Sequence, residues 1–298
     1  MTSSRLGFIG IGLMGEPMTH RLLEAGFSVT VFNRSPEKTR SVETAGARVA
    51  TSIAELVAEV DIILLCLANT DAVEEVVFGE DGIAKQGRAG QRLVDFSSSD
   101  PAATRDFASR LQAECEIPWI DAPVSGGVAG AEAGSLAIMC GGEANDIEAL
   151  RPLLAPLAFR VTHMGPVGSG QVTKVCNQMI VGCNALVIAE MMALAEASGV
   201  DAPRIPEALT GGFADSKPFQ LLAPRMAADD FENPAWHVRT LLKDLDMAVA
   251  QSQRSASAVP MSGLAAQLFR EHAGQGHAES DPATLIERYR HLPTKPSK

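Results

Sequence analysis

The chain predicts an open, doubly wound α/β sheet followed by an all-helical domain, and three observations carry this. In the first half, short apolar runs alternate with amphipathic stretches, the pattern of βα units that build a parallel sheet. From about Gly168 the strand-like runs stop and long helical patterns take over. The length of 298 residues fits about two domains at roughly 100–200 residues each, which we place at 1–164 and 165–298.

Taken in order, strands are predicted over 6–9, 28–32, 62–67, 93–96, 117–121 and 136–140. Between them lie helices over 14–25, stopped by Gly26, and 37–45, stopped by Gly46, then 53–57, 72–77, and 102–113 after Pro101, with glycine and proline where helices end and begin. The second half gives helices over 171–198, 204–209, 220–226, 238–254 and 264–273. Gly199 and Gly274 stop two of these, while Pro203, Pro218, Pro260 and Pro282 stand where new helices can start. The polar tail 293–298 is expected to fray.

Composition excludes several classes. With 46% hydrophobic residues the chain is neither disordered nor collagen-like. A net charge of −11, from 25 Lys and Arg against 36 Asp and Glu, argues against a nucleic-acid partner, which needs clustered cations and stacking aromatics. Five cysteines without a Cys-x-x-Cys pair read as reduced core residues of a cytoplasmic protein. No leader pattern opens the chain. The least charged segment, 175–189, is too short for a ~20-residue span and carries Asn177, Gln178 and Asn184, so a buried helix and no membrane partner are expected. No His, Cys and carboxylate cluster has metal-ligand spacing, and His163, His237 and His272 are expected at the surface or in packing.

Gly10-Ile11-Gly12-Leu13-Met14-Gly15 fits G-x-G-x-x-G and lies between a predicted strand and a predicted helix, the context that makes this Rossmann-type motif a dinucleotide site instead of a mere turn. The first glycine permits the turn, the second admits a pyrophosphate, the third lets helix and strand approach, and the helix N-terminus offers unpaired N–H groups. At the end of the second strand an NAD site expects a carboxylate. Asn33-Arg34-Ser35 stands there instead, with Lys38 one turn on. Arg34 can clamp a 2′-phosphate and Ser35 can add a bond, so NADP is preferred, with NAD use left open. The competing reading makes Arg34 a solvated turn residue.

A second glycine-rich segment runs from Asp121 through Ser125-Gly126-Gly127 to Gly130, Ala131 and Gly134. Such a turn can present successive N–H groups and a hydroxyl to a carboxylate. It can equally be a ligand-free glycine hairpin, and the segment alone does not decide. Further on, Lys174 and Asn177 sit three residues apart on one predicted helix face, and no further charge follows until Glu190. A lysine so placed is either snorkelling at a helix end or used as a proton carrier, because desolvation readily lowers a lysine's pKa.

Together the glycine loop, DAPVSGG with its GAxxGxL continuation, and GxxGxGQxxKxxN resemble the β-hydroxyacid dehydrogenase family, in order over nearly the whole chain. The resemblance implies an NAD(P)-dependent oxidoreductase interconverting a small, carboxylate-bearing semialdehyde and its hydroxyacid, with 2-hydroxy-3-oxopropionate (tartronate semialdehyde) the leading substrate. Oxidation of 3-hydroxyisobutyrate, reduction of glyoxylate or succinic semialdehyde, and a non-catalytic NADP-binding module are the alternatives. It further implies that Lys174 is the general acid or base, that Ser125, Gly126 and Gly127 clamp the carboxylate, and that Asn177 orients the substrate. Ser98 would lie beside the nicotinamide ribose, Leu67 and Ala68 beneath the adenosine side, and Lys243 would reach the cofactor. Two positions depart from the family pattern: Gln178, where a second Asn is frequent, and Ala68, where Pro is. Phe213, Asp215 and Ser216, in a segment similar to 2-hydroxy-3-oxopropionate reductases, either close the substrate pocket or cap the helix near Pro218. The apolar helices 171–198 and 238–254 suggest a homodimer or homotetramer.

Overall fold

The computed structural model describes residues 4–234 and 236–290, so the tail at 293–298 lies outside the described residues. The chain forms two compact units, residues 1–174 and 175–298.

The first unit is built on one sheet. Its strands are β1 (Leu6–Ile9), β2 (Val29–Phe32), β3 (Arg48–Val49), β4 (Ile62–Leu65), β5 (Arg92–Asp95), β6 (Trp119–Asp121), β7 (Val124–Ser125), β8 (Leu136–Gly141) and β9 (Ala158–Gly165). Their order is β3-β2-β1-β4-β5-β6-β8-β7, with β9 paired to β8. β1 to β6 are parallel, and β8 runs antiparallel to β6 and β7. The order reverses at β1, which has β2 on one side and β4 on the other. In an open sheet that switch point marks where ligands bind, at the carboxyl ends of the strands.

Around the sheet lie α1 (Gly15–Glu24), α2 (Arg40–Thr44), α3 (Ile53–Glu59), α4 (Thr70–Phe78), α5 (Ile83–Gln86), α6 (Pro101–Cys115), α7 (Gly127–Glu132) and α8 (Ala144–Leu154). Local chemistry starts several of them. Ser52, Asn69 and Asp100 accept backbone N–H bonds at the first turns of α3, α4 and α6, and Pro101 follows Asp100; caps of this kind contribute about 1 kcal/mol each. Both faces of the sheet are apolar. Leu6, Phe8, Val31, Leu64, Val94 and Ile120 pack with Met18, Leu22 and Ile138 in one buried cluster. Ile9, Ile63, Leu65, Leu93 and Trp119 pack with Leu56, Val73, Val77 and Phe107 in another, the two-sided burial of a doubly wound sheet.

Several elements differ from expectation. The helix predicted over 37–45 is a 3₁₀ turn, Pro36–Thr39, running into α2. The strand β9 carries no readable period because most of it is exposed. The helix α7 lies in a segment whose glycines and alanines read as loop, and α8 contains Pro152.

The second unit is helical in all its described elements. The long helix α9 (Ser169–Ala197) starts in the first unit and continues here, followed by α10 (Ile205–Leu209), α11 (Lys217–Ala228), α12 (Val238–Ser255), α13 (Pro260–His272) and α14 (Glu287–Arg290). Ala185, Ala189 and Met192 of α9 pack with Leu222, Met226, Leu241, Leu245, Phe269 and Leu285. Arg290 ties the end of the described chain down through Glu196 at 2.6 Å and Asp229 at 2.5 Å.

The span expectation needs correction: α9 has 29 residues and is apolar enough, by length and composition, to cross a membrane. Only half of its most apolar window is buried inside the protein. Ile180, Val187 and Leu194, seven residues apart, are exposed. All five cysteines are free; Cys140 is buried and burial pushes its thiol up to about 12, but Cys176 is exposed and not a core residue.

His272 is buried, stacked on His277 with ring centroids 4.2 Å apart, and shares a 2.8 Å bond with Thr284 Oγ1. Burial, then the His277 and Arg288 charges, lowers its pKa to about 4 against the opposing pull of Glu271. The unfolded chain therefore takes up a proton before the folded one does, and stability is lost as pH falls from about 6.5 towards about 4. Denaturant titrations at pH 7 and pH 4.5 are expected to differ by about 2–3 kcal/mol more in the native chain than in His272→Gln.

Candidate active site

The register of the parallel strands lines up one row of residues at their carboxyl ends. Phe32 pairs with Ile9, Ile9 with Leu65, Leu65 with Asp95, and Asp95 with Asp121. The residues that follow each member of this row are those singled out from sequence: Asn33 to Ser35, Gly10 to Gly15, Leu67 and Ala68, Ser98, and Ser125 to Gly127. The sheet thus gathers these segments along one edge.

The glycine loop divides its work unequally. Gly10 has φ +104°, and a Cβ there would stand 2.3 Å from the Cys66 carbonyl oxygen. A Cβ on Gly15 would stand 2.0 Å from the Gly10 carbonyl oxygen. Both positions are therefore closed to a side chain by the protein's own backbone. Gly12 has nothing within 4 Å of its Cβ position. Its lack of a side chain serves no internal packing, which fits the approach of a dinucleotide pyrophosphate at the start of α1. Asn33 braces the loop: its Oδ1 accepts from Ile11 N at 2.9 Å and its Nδ2 donates to Ser35 O at 2.9 Å. Arg34 and Lys38 are exposed, and Ser35 is half-buried.

The neighbouring loops are stitched together. The Ser97 hydroxyl accepts from Leu67 N at 2.8 Å, and Ser97 N donates to Asp95 Oδ1 at 2.9 Å. Asp100 N donates to Thr70 Oγ1 at 2.9 Å. Ser98, half-buried, lies between these anchors. Asp121, wholly buried, accepts from Gly168 N at 2.7 Å and from Gln171 N at 2.9 Å, holding the start of α9 against the end of β6. Burial pushes its carboxyl above the ordinary range, opposed by those N–H groups. Lys174, one turn into α9 and half-buried, donates from Nζ to Val124 O at 2.9 Å. Val124 precedes Ser125, and Gly126 and Gly127, at φ +143° and +65°, turn the chain exposed into α7. The structure therefore brings Lys174 to the serine-glycine loop through this hydrogen bond.

In the second unit, four side chains form one hydrogen-bonded chain. Asn177 Nδ2 donates to Gln178 Oε1 at 2.7 Å, Gln178 Nε2 donates to Asp244 Oδ2 at 2.5 Å, and Lys243 Nζ lies 3.2 Å from Asp244 Oδ1. Gln178 and Asp244 are buried. Gln178, a departure from the family pattern, is thus the bridge between two predicted site residues. Phe213 is fully exposed. Asp215 accepts from Gly211 N and from Gln220 Nε2, each at 2.7 Å, bonds that hold its carboxyl below the usual range. Ser216 accepts from Phe219 N at 3.2 Å, capping α11, so the helix-cap alternative describes these contacts.

Sequence reasoning missed Ser97, Gln171 and Asp244, and gave Asp121 no role. Each acts through bonds to residues distant in sequence, which leave no local pattern. A buried polar residue inside a motif was the one available signal.

A glycine loop of dinucleotide-binding form, an edge of stitched loops and a lysine bonded beside the serine-glycine turn are the arrangement of a nicotinamide-dependent oxidoreductase. Comparisons with known proteins agree. Residues 5–165 match the family described as the NAD binding domain of 6-phosphogluconate dehydrogenase, and residues 168–289 that described as NAD-binding of NADP-dependent 3-hydroxyisobutyrate dehydrogenase. The chain is 35% identical over 283 residues to 2-hydroxy-3-oxopropionate reductase of Escherichia coli (strain K12), covering 95% of this chain and 96% of that one. It is similar to a solved Mycobacterium tuberculosis 3-hydroxyisobutyrate dehydrogenase with L-serine, at TM-score 0.86 and 29% identity, covering 97% and 100% of the two chains. A solved structure described as Psf3 in complex with NADP+ and 2-OPP matches at TM-score 0.86 and 26% identity, covering 95% and 99%. The chain belongs to the β-hydroxyacid dehydrogenase family and is an NAD(P)-dependent hydroxyacid dehydrogenase.

Proposed function

We propose that this enzyme reduces tartronate semialdehyde (2-hydroxy-3-oxopropionate) to its hydroxyacid, with NADPH preferred over NADH. One observation carries the reading: Lys174 Nζ is bonded to the carbonyl of Val124, immediately before Ser125. A substrate whose carboxylate accepts from the Ser125 hydroxyl and the Gly126 and Gly127 N–H groups then has its carbonyl oxygen within the reach of a short acid from the lysine. When bound, the reduced nicotinamide supplies the hydride. Lys174 gives its proton to the carbonyl oxygen in reduction and takes it from the hydroxyl in oxidation. Gly10 to Gly15, Asn33 to Ser35, Leu67, Ala68 and Ser98 are assigned to the coenzyme. Asn177 is assigned to the substrate and Lys243 to the coenzyme, their side chains held by the Gln178 and Asp244 bridge. The likeness to the Escherichia coli reductase supports the substrate. The exposed stripe of Ile180, Val187 and Leu194 supports the expected homo-oligomer.

A second reading, oxidation of 3-hydroxyisobutyrate, is favoured by one observation. Asp215 and Ser216, polar groups that would favour a hydroxylated substrate if they closed the pocket, are engaged in their own turn and cap. Initial rates with tartronate, succinic and methylmalonate semialdehydes, glyoxylate, glycerate and 3-hydroxyisobutyrate separate the two. The proposal expects the highest kcat/KM with tartronate semialdehyde and is overturned by a preference for 3-hydroxyisobutyrate.

Coenzyme choice has its own test. Arg34 is exposed and stands where a ribose-binding carboxylate would be. Arg34→Ser is expected to raise the KM for NADPH by ~10–100-fold, the loss of one charge-assisted anion contact, with the KM for NADH nearly unchanged. Equal changes for both coenzymes would remove Arg34 from 2′-phosphate recognition.

A further inference from the structure

Gln171 shares a helix face with Lys174, three residues on. It is wholly buried, and its amide is bonded at both ends. Its Oε1 accepts from Ser99 N at 3.1 Å and its Nε2 donates to Ser97 O at 2.8 Å, the backbone groups on either side of Ser98. The Gln171 N–H is held by Asp121. One side chain thus brackets the residue assigned to the nicotinamide ribose while sitting one helical turn from the residue assigned to the proton.

We infer that Gln171 is a positioning residue for the reaction, setting Ser98 in register with Lys174. The inference rests on the roles proposed for those two residues. The physical reason is the amide's double character. Ser99 N–H needs an acceptor and Ser97 C=O needs a donor, both in a buried place where an unmet group is costly. Among the residues that could replace it, a carboxylate supplies only the first and an aliphatic side chain neither. A comparison within the same unit separates positioning from stitching. Gln91 is also buried and donates to Val57 O and Val60 O at 2.8 and 2.9 Å, but it precedes β5, at the opposite end of the strand from Ser97.

The experiment compares Gln171→Leu, Gln171→Glu and Gln91→Leu with the native enzyme. It reads melting temperature, exchange of the Ser99 amide hydrogen, NADPH affinity by calorimetry without substrate, and kcat against pH. Both leucine variants are expected to melt lower. Only Gln171→Leu is expected to expose the Ser99 amide to exchange, to weaken NADPH about tenfold and to lower kcat on the order of a hundredfold, the size of effect that a misplacement of about 1 Å produces. Gln171→Glu is expected to recover towards native kcat as pH falls, because a protonated carboxyl again offers both an acceptor and a donor; that profile decides the matter should the leucine variant not fold. Gln171→Leu with NADPH affinity and kcat within about twofold of native overturns the inference, as does an equal loss in Gln91→Leu or a flat glutamate profile. The proposed chemistry fails separately, and takes the inference with it, when Lys174→Ala leaves turnover intact.

Discussion

Lys174→Ala is expected to lower kcat by about three orders of magnitude, the middle of the range for loss of a positioned acid, while the NADPH dissociation constant stays within about twofold. The asymmetry follows from where the side chain is fastened. Its Nζ bonds the Val124 carbonyl, on the serine-glycine side, whereas the glycine loop is braced independently by Asn33. Removing the amine takes away the proton carrier and leaves the coenzyme cradle as it was. Single-turnover reduction and a calorimetric NADPH titration check both halves, and added methylamine should restore part of the rate. Native turnover in the alanine variant would refute the mechanism.

The second large effect is a contrast between two glycines of one loop. Gly15→Ala forces a methyl to 2.0 Å from the Gly10 carbonyl oxygen and 3.1 Å from the Phe8 ring. The first of these is backbone of the same turn and has nowhere to go. The expected cost is about 1–3 kcal/mol or more, seen as a melting temperature several degrees lower. A Cβ at Gly12 meets nothing within 4 Å, so the stability of Gly12→Val should stay within about 0.5 kcal/mol of native. Its NADPH dissociation constant should rise on the order of a hundredfold, or about 2.7 kcal/mol, because the valine occupies the space the pyrophosphate needs. Thermal melts and coenzyme titrations of both variants test the contrast; unchanged coenzyme affinity in Gly12→Val would place the dinucleotide elsewhere.

The parts of this enzyme that repeat locally were readable from its sequence. Leu6 to Ile9 and the glycine loop after it announce themselves through a four-residue apolar run and fixed spacing, and β1 has the predicted bounds. The strand β9 was not readable, since an exposed edge imposes no alternation on Phe159, Arg160 and Thr162. The helix α7 was hidden because Gly127, Gly130 and Ala131 have no amphipathic signature, although Gly130 and Ala131 are its buried side. Within the site, sequence placed Lys174 and Ser125 but not what holds them. Asp121 reaches Gly168 and Gln171, and Gln171 reaches Ser97 and Ser99, across gaps of 47 to 74 residues. Such partners are set by the register of β5 and β6, which only the folded sheet reveals. Gln178 is the same lesson in the helical unit: marked in the sequence only as a departure from the family pattern, it finds Asp244, 66 residues on.

That last contact has a polarity. An ionised carboxylate can only accept, so Asp244, paired with Lys243, obliges Gln178 to turn its NH₂ group inward. The Gln178 oxygen must then face Asn177, and Asn177 must answer with its own NH₂. A negative charge on α12 thereby dictates which way round an amide on α9 is written, two residues removed from it. Asp244→Asn would keep every atom nearly in place and yet reverse that instruction: Lys243 can only donate, so the new amide turns its oxygen to Lys243 and its NH₂ to Gln178, and both amides on α9 are expected to flip.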